Sequence, residues 1–188
     1  MVSDHPSRER QNRERRVAPP LDMAALERLA LRYVERFSTT RARLAEYLTR
    51  KIRARGWEGN SADPVAIAER MAELGYIDDR AFGEARASAM ARRGLGKRRV
   101  TGAFRQAGIE EEDAAALVPA IEARALEAAL TFARRKRIGP YAQGEADRPL
   151  REKQIAAMIR GGHDFTLSRR IASMAPGEDV DNLSREWS

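Results

Sequence analysis

Apolar side chains return at helical intervals along almost the whole chain, in short segments that a capping residue opens and a glycine closes. Leu26, Leu29, Ala30, Tyr33, Val34 and Phe37 stand at i, i+3, i+4, i+7, i+8 and i+11, which lays one stripe along a helix. Ser38 or Thr39 is the expected cap of a second helix in which Leu44, Tyr47, Leu48 and Ile52 share a face and which stops near Gly56. Asp63-Pro64 reads as a cap followed by a first-turn proline, and the helix it opens carries Ile67, Met71 and Leu74 inward and ends at Gly75. No segment alternates at period two. The expected fold class is therefore all-α, without a sheet.

The pattern then begins again. Asp78-Asp79 opens a helix through Phe82, Ala85 and Ala89 that halts at Gly94, and a short helix with Val100, Ala103, Phe104 and Ala107 on one side is closed by Gly108. Shifting the first unit by 56 residues lays Leu44 on Val100 and Leu48 on Phe104. The acidic run Glu110, Glu111, Glu112, Asp113 suits the positive end of a third helix of this unit, which Pro119 is expected to interrupt. A longer helix with Ile121, Ala125, Ala129, Leu130 and Ala133 inward follows and stops at Gly139-Pro140. Leu150, Ile155, Met158 and Ile159 mark another, ended by Gly161-Gly162, and Phe165, Leu167, Ile171 and Met174 the last. Nine helices in three triplets, at a period of about fifty residues, imply an elongated array of three three-helix repeats whose units bury their faces against neighbours. The boundaries expected are a disordered basic arm over 1–22, repeats over 23–75, 76–119 and 120–175, and a loosely ordered tail over 176–188 that Trp187 could anchor.

Aromatic residues make up 6% of the chain, so thin Ala-rich interfaces are expected rather than one bulky core. With no Cys, and only His5 and His163 as histidines, disulfides, thiol nucleophiles and Cys/His metal sites fall away. No cofactor, metal or catalytic residue is expected. His5 lies in the arm, and His163 follows a helix-ending glycine pair as a surface loop residue, so neither serves as a catalytic base. Asp78-Asp79 and the run at 110–113 read as helix caps and first turns, not as acid/base pairs. No stretch is apolar enough to span a membrane and the start has no secretory core, which fits a cytoplasmic monomer that is not an enzyme.

Lys and Arg number 35 against 28 Asp and Glu, a net charge of +7 that favours a polyanionic partner. The turn Gly94-Leu95-Gly96 leads into Lys97-Arg98-Arg99, and 92–105 holds six basic residues with no acid. A phosphate-binding NTPase loop is excluded by glycine spacing and by the missing Ser or Thr. What remains is a helix N-terminus beside Arg92, Arg93, Lys97, Arg98, Arg99 and Arg105, groups that suit phosphates or carboxylates. A solvated charged face would look similar, but basic faces recur with Arg41, Arg43 and Lys51 on the second helix and at Arg134, Arg135, Lys136 and Arg137. Trp57, Phe82, Phe104 and Phe132 read as packing residues, and a helix-turn-helix over 94–109 lacks a set of Asn or Gln base readers.

Gly75-Tyr76-Ile77-Asp78-Asp79-Arg80-Ala81-Phe82, then Arg92-Arg93-Gly94-Leu95-Gly96-Lys97-Arg98-Arg99-Val100 and Gly108-Ile109, resemble the central repeat of the RecX family of bacterial RecA regulators. The resemblance extends over 26–174, more loosely through Ala30 to Leu48 and Gly162 to Phe165, and the loop over 139–149 departs from the pattern. It implies a curved, all-helical protein that binds RecA filaments on single-stranded DNA and lowers recombinase, ATPase and co-protease activities, with a role in DNA repair and the SOS response. A direct DNA-binding repressor or architectural protein, on single or double strands, is the alternative that the charge alone leaves open.

Overall fold

The computed structural model describes residues 19–187, and most of the basic arm expected over 1–22 lies outside them. Among the described residues there are ten α-helices: α1 (Met23–Val34), α2 (Arg41–Arg55), α3 (Pro64–Glu73), α4 (Asp79–Arg92), α5 (Lys97–Ala107), α6 (Glu111–Glu122), α7 (Ala125–Lys136), α8 (Arg148–Arg160), α9 (Phe165–Ala172) and α10 (Asp181–Glu186). The expected all-helical class holds. An isolated bridge between Leu21 and Trp57 is the one β feature among them. It gives Leu21 a place in the first core, so the chain is already anchored before α1 begins.

Three apolar cores follow the helix triplets. The first gathers Leu26, Ala30, Leu44, Leu48, Ile67 and Met71; the second Val100, Phe104, Leu117 and Ile121; the third Ala129, Ala133, Met158, Leu167 and Ile171. Leu44, Leu48, Val100 and Phe104, paired by the sequence shift, are all fully buried. Burying a side chain of that size contributes roughly 1.5–3 kcal/mol, so a few such residues hold each triplet. α4 also packs on α7, which joins the second triplet to the third.

The departures from expectation have local causes. Thr40, not Ser38 or Thr39, caps α2: its hydroxyl accepts from the Arg43 amide at 3.3 Å and donates to the Ala107 carbonyl, so one side chain starts α2 and docks α5. Pro119 does not interrupt α6, because Leu117 and Ile121 on either side of it are held in the second core. Ile121 consequently closes the second triplet and does not open the third. Leu150 and Phe165 face water, and Met158, Leu167 and Ile171 supply the burial in their helices. The tail expected to be loosely ordered contains α10, whose Leu183 is fully buried while Val180 and Trp187 pack on the same third core. These three stand at i, i+3 and i+7, a helical stripe set among polar residues.

Between the second and third triplets the contact is backbone on backbone. The Gly96 amide donates to Gly161 O at 3.0 Å and the Arg98 amide to Gly162 O at 3.1 Å. A Cβ on Gly96 would fall 2.4 Å from the Gly162 carbonyl carbon and oxygen, so only glycine admits this approach. Gly102, in the middle of α5, meets nothing within 4 Å. Gly96→Ala is expected to lower stability by about 1–3 kcal/mol, whereas Gly102→Ala raises it by about 0.5–1 kcal/mol through helix propensity. Urea titrations of the two variants followed by circular dichroism measure both.

Candidate functional site

The glycine seam brings α8 alongside α4 and α5, and the three leave a groove of about 550 Å³ between them. Arg86 and Arg93 come from α4 and its C-cap, Arg98, Arg99 and Arg105 from α5, and Arg160 from the last residue of α8. Gln106 is the other polar side chain long enough to reach a ligand there, and Met90, Leu95, Ala103 and Ile159 form the apolar part of the lining. No carboxylate lines the groove. All six arginines are exposed, and none has an ion pair among the described residues. Guanidinium groups gathered this way repel one another, and a chain of phosphates or carboxylates relieves that repulsion while accepting paired N–H bonds.

The groove cannot use the α5 helix terminus as an anion site in the way the sequence suggests. Two of its first amides, those of Gly96 and Arg98, are already engaged by Gly161 and Gly162. The donors left to meet an anion at this place are side chains. Among the described residues no group of three or more His, Asp or Glu could hold a metal ion, and no helix is long and apolar enough to cross a membrane.

No family model matches the chain. Regulatory protein RecX of Thermobifida fusca is 30% identical over 176 residues, spanning 90% of this chain and 90% of the relative. The chain belongs to the RecX family. Regulatory protein RecX of Agrobacterium fabrum is 28% identical over 159 residues, covering 82% of this chain and 85% of its own, and that of Myxococcus xanthus 26% over 173 residues, covering 87% and 90%. The crystal structure of RecX from Lactobacillus salivarius matches with a TM-score of 0.62 over 79% of this chain and 92% of that one; at 19% identity the likeness speaks for the fold.

Of the basic residues singled out in the sequence of this RecX-family chain, Arg93, Arg98, Arg99 and Arg105 converge in the groove. Arg92 is exposed outside it, and Lys97 turns to the opposite side of α5, where it pairs with Glu122. Arg43 lies over the Phe82 ring at 5.3 Å and Lys51 over Tyr47 at 5.3 Å, both away from the groove. Sequence reasoning missed Arg86 and Arg160. Arg86 stands two turns before Arg93 on the same face of α4, a spacing that could have flagged it, whereas Arg160 arrives only through the glycine seam.

Arg41 is not available to a partner. Its backbone amide and Nε donate to the two Asp79 oxygens at 3.0 and 3.2 Å, Nη1 reaches Glu69 at 3.3 Å, and Nη2 lies 3.5 and 3.6 Å from Glu110 and Asp113. Burial pulls the proton affinity of Arg41 down, but the hydrogen bond and charge of Asp79 with the charges of Glu110 and Glu69 outweigh it, and its pKa is raised. Asp78 is the α4 cap the sequence promised, accepting from the Ala81 amide at 2.8 Å; Asp79, 5% exposed, is the anchor of a cross-brace between the first and second triplets. Arg41→Ala leaves that carboxylate buried without its partner. A loss of about 2–3 kcal/mol is expected, read as a lower urea midpoint, and a midpoint within error of the parent's would show the brace to be idle.

His163 is a seam residue and not the surface loop residue expected. It is 7% exposed, its Nε2 lies 3.1 Å from Gly94 O, and its ring meets Phe132 edge-on at 5.2 Å. Burial pushes its pKa below the ordinary value, against the opposing pull of the Gly94 hydrogen bond. The unfolded chain takes up this proton at about pH 6.5 while the folded chain resists it, so stability is full above that pH and falls as pH descends toward the folded pKa. Melting temperature is expected to drop between about pH 7.5 and about pH 5.5, and His163→Gln to flatten that slope.

Proposed function

We propose that this chain is a non-enzymatic regulator that binds RecA filaments on single-stranded DNA and lowers their recombinase, ATPase and co-protease activities. The observation that carries the reading is the groove of six unpaired arginines without a carboxylate. Membership in a family of regulatory proteins supplies the context, and a nucleoprotein filament is a polyanion of the kind such a groove attracts. The three helix triplets act in this proposal as repeats that reach along several filament subunits, so modest contacts gain avidity from being linked. The charge speeds encounter more than it sets the final affinity. The protein works as a cytoplasmic monomer, within DNA repair and the SOS response.

A helix-turn-helix repressor is the weaker reading. Such a motif presents the N-terminal residues of its second helix to base edges in the major groove. Here the start of α5 is packed against Gly161 and Gly162, and Gln106 near its end is the one amide side chain in the groove.

The test is a RecA ATPase assay on single-stranded DNA with the protein titrated in. The parent is expected to inhibit well below the RecA concentration. Arg93→Gln, Arg105→Gln and Arg160→Gln combined should weaken inhibition about tenfold or more and reduce the slope of log affinity against log salt by about two. A control that removes three charges elsewhere, Arg50→Gln, Arg148→Gln and Lys153→Gln, separates the groove from net charge. No inhibition at equimolar parent protein would sink the RecA reading. Equal losses in both triple variants would remove the groove from it.

A further inference from the structure

On the first triplet, far in sequence from the groove, three aromatic rings form a ladder between α1 and α2. Tyr33 and Tyr47 stack at 4.3 Å with 28° between their planes, and Tyr33 meets Phe37 at 5.2 Å and 48°. The tyrosines rest on the first core, but Phe37, just past the end of α1, is 51% exposed. Each end of the ladder carries a cation over its ring: the Arg36 Cζ lies 5.6 Å from the Phe37 centroid, and Lys51 Nζ lies 5.3 Å from that of Tyr47. Glu46, the acid next to Tyr47 in sequence, is drawn to Arg50 at 3.9 Å.

We infer that this ladder is a stacking platform for unpaired bases of single-stranded DNA, with Phe37 as the ring that takes the base and Arg36 and Lys51 as the phosphate contacts. An aromatic face held in water beside cations is the combination that binds single strands, because every base has a π-face and every nucleotide a phosphate. A cation over a ring and a base over a ring satisfy the same negative face. Arg36 is exposed, so its guanidinium moves from ring to phosphate as a base replaces it, and no buried group has to be unpacked. Tyr33 and Tyr47 hold the plane of the stack, as the core fixes them from below. The two groups that lie over the end rings are cations, which engage phosphate rather than the sugar hydroxyl, so the platform is not selective for RNA. A duplex keeps its base faces covered and is a poor ligand for it.

The inference does not rest on the RecA reading, and its test contains no RecA. A labelled oligothymidylate is titrated with the full chain by fluorescence anisotropy at several salt concentrations. Phe37→Ala is expected to weaken binding by at least about fivefold with the salt slope unchanged, and Phe37→Trp to retain it. Phe37→Leu keeps an apolar side chain but no π-face and should fall with the alanine variant. Arg36→Gln should lower the slope by about 0.7, the share of one phosphate contact on a single strand. Because Phe37 is half in water, these variants should melt with the parent, which a thermal scan checks. Oligothymidylate affinity unchanged in Phe37→Ala, full affinity in Phe37→Leu, an equal loss of duplex affinity in Phe37→Ala, or tighter binding of oligouridylate would each overturn the platform.

Discussion

The site depends on a backbone contact between two glycine turns. Gly96 and Gly162 approach so closely that main-chain amides and carbonyls bond directly across the boundary between the second and third triplets. These hydrogen bonds join neutral groups, and the seam is reinforced by His163, which reaches Gly94 as a neutral ring. Salt does not screen such contacts as it screens surface ion pairs. The seam therefore holds α5 and α8 together, against the mutual repulsion of the arginines they carry, through contacts that do not rely on net charge.

The other boundary is made differently. Between the first and second triplets Arg41 reaches four carboxylates, and Thr40 adds a hydrogen bond to the Ala107 carbonyl. Gly108 lets Ala42 approach at the same place, since a Cβ there would fall 2.3 Å from the Ala42 methyl. One guanidinium facing four acids leaves this joint locally negative, the reverse of the groove. The two seams carry opposite local charge, which gives an otherwise diffuse basic chain one cationic face.

The fold was legible because helix caps, proline and glycine act over three or four residues. Asp63-Pro64, Asp78 and Gly108 stand where the sequence places them, and the apolar stripes supply the cores. What the sequence hides is long-range. Gly94-Leu95-Gly96 looks like an anion-binding turn until Gly161-Gly162 is seen to occupy it, and Arg41 looks like one more surface cation until Asp79, Glu110 and Asp113 close around it. Arg160 lies more than fifty residues beyond the other groove arginines in the sequence, and no local signal joins it to them. Pro119 and the tail were misjudged for a related reason: Leu117, Ile121 and Leu183 are held by cores whose other members come from distant helices.

The charge count alone also misleads about where positive charge gathers. An excess of 35 basic over 28 acidic residues is modest, and mixed evenly it would give a weak, patternless attraction. The acids are not mixed evenly. Asp22, Asp63, Asp78, Asp147 and Asp164 are held at helix N-termini by backbone amides, and Glu69, Asp79, Glu110 and Asp113 are gathered around Arg41. Each of those carboxylates has a structural partner and cannot neutralise the groove. The α4–α5–α8 face is basic because the fold has placed its acids elsewhere, so an added carboxylate on that face, for instance at Ala103, would oppose a polyanion more than the loss of a remote lysine. The cationic character of that face is set by where carboxylates are absent as much as by where arginines stand.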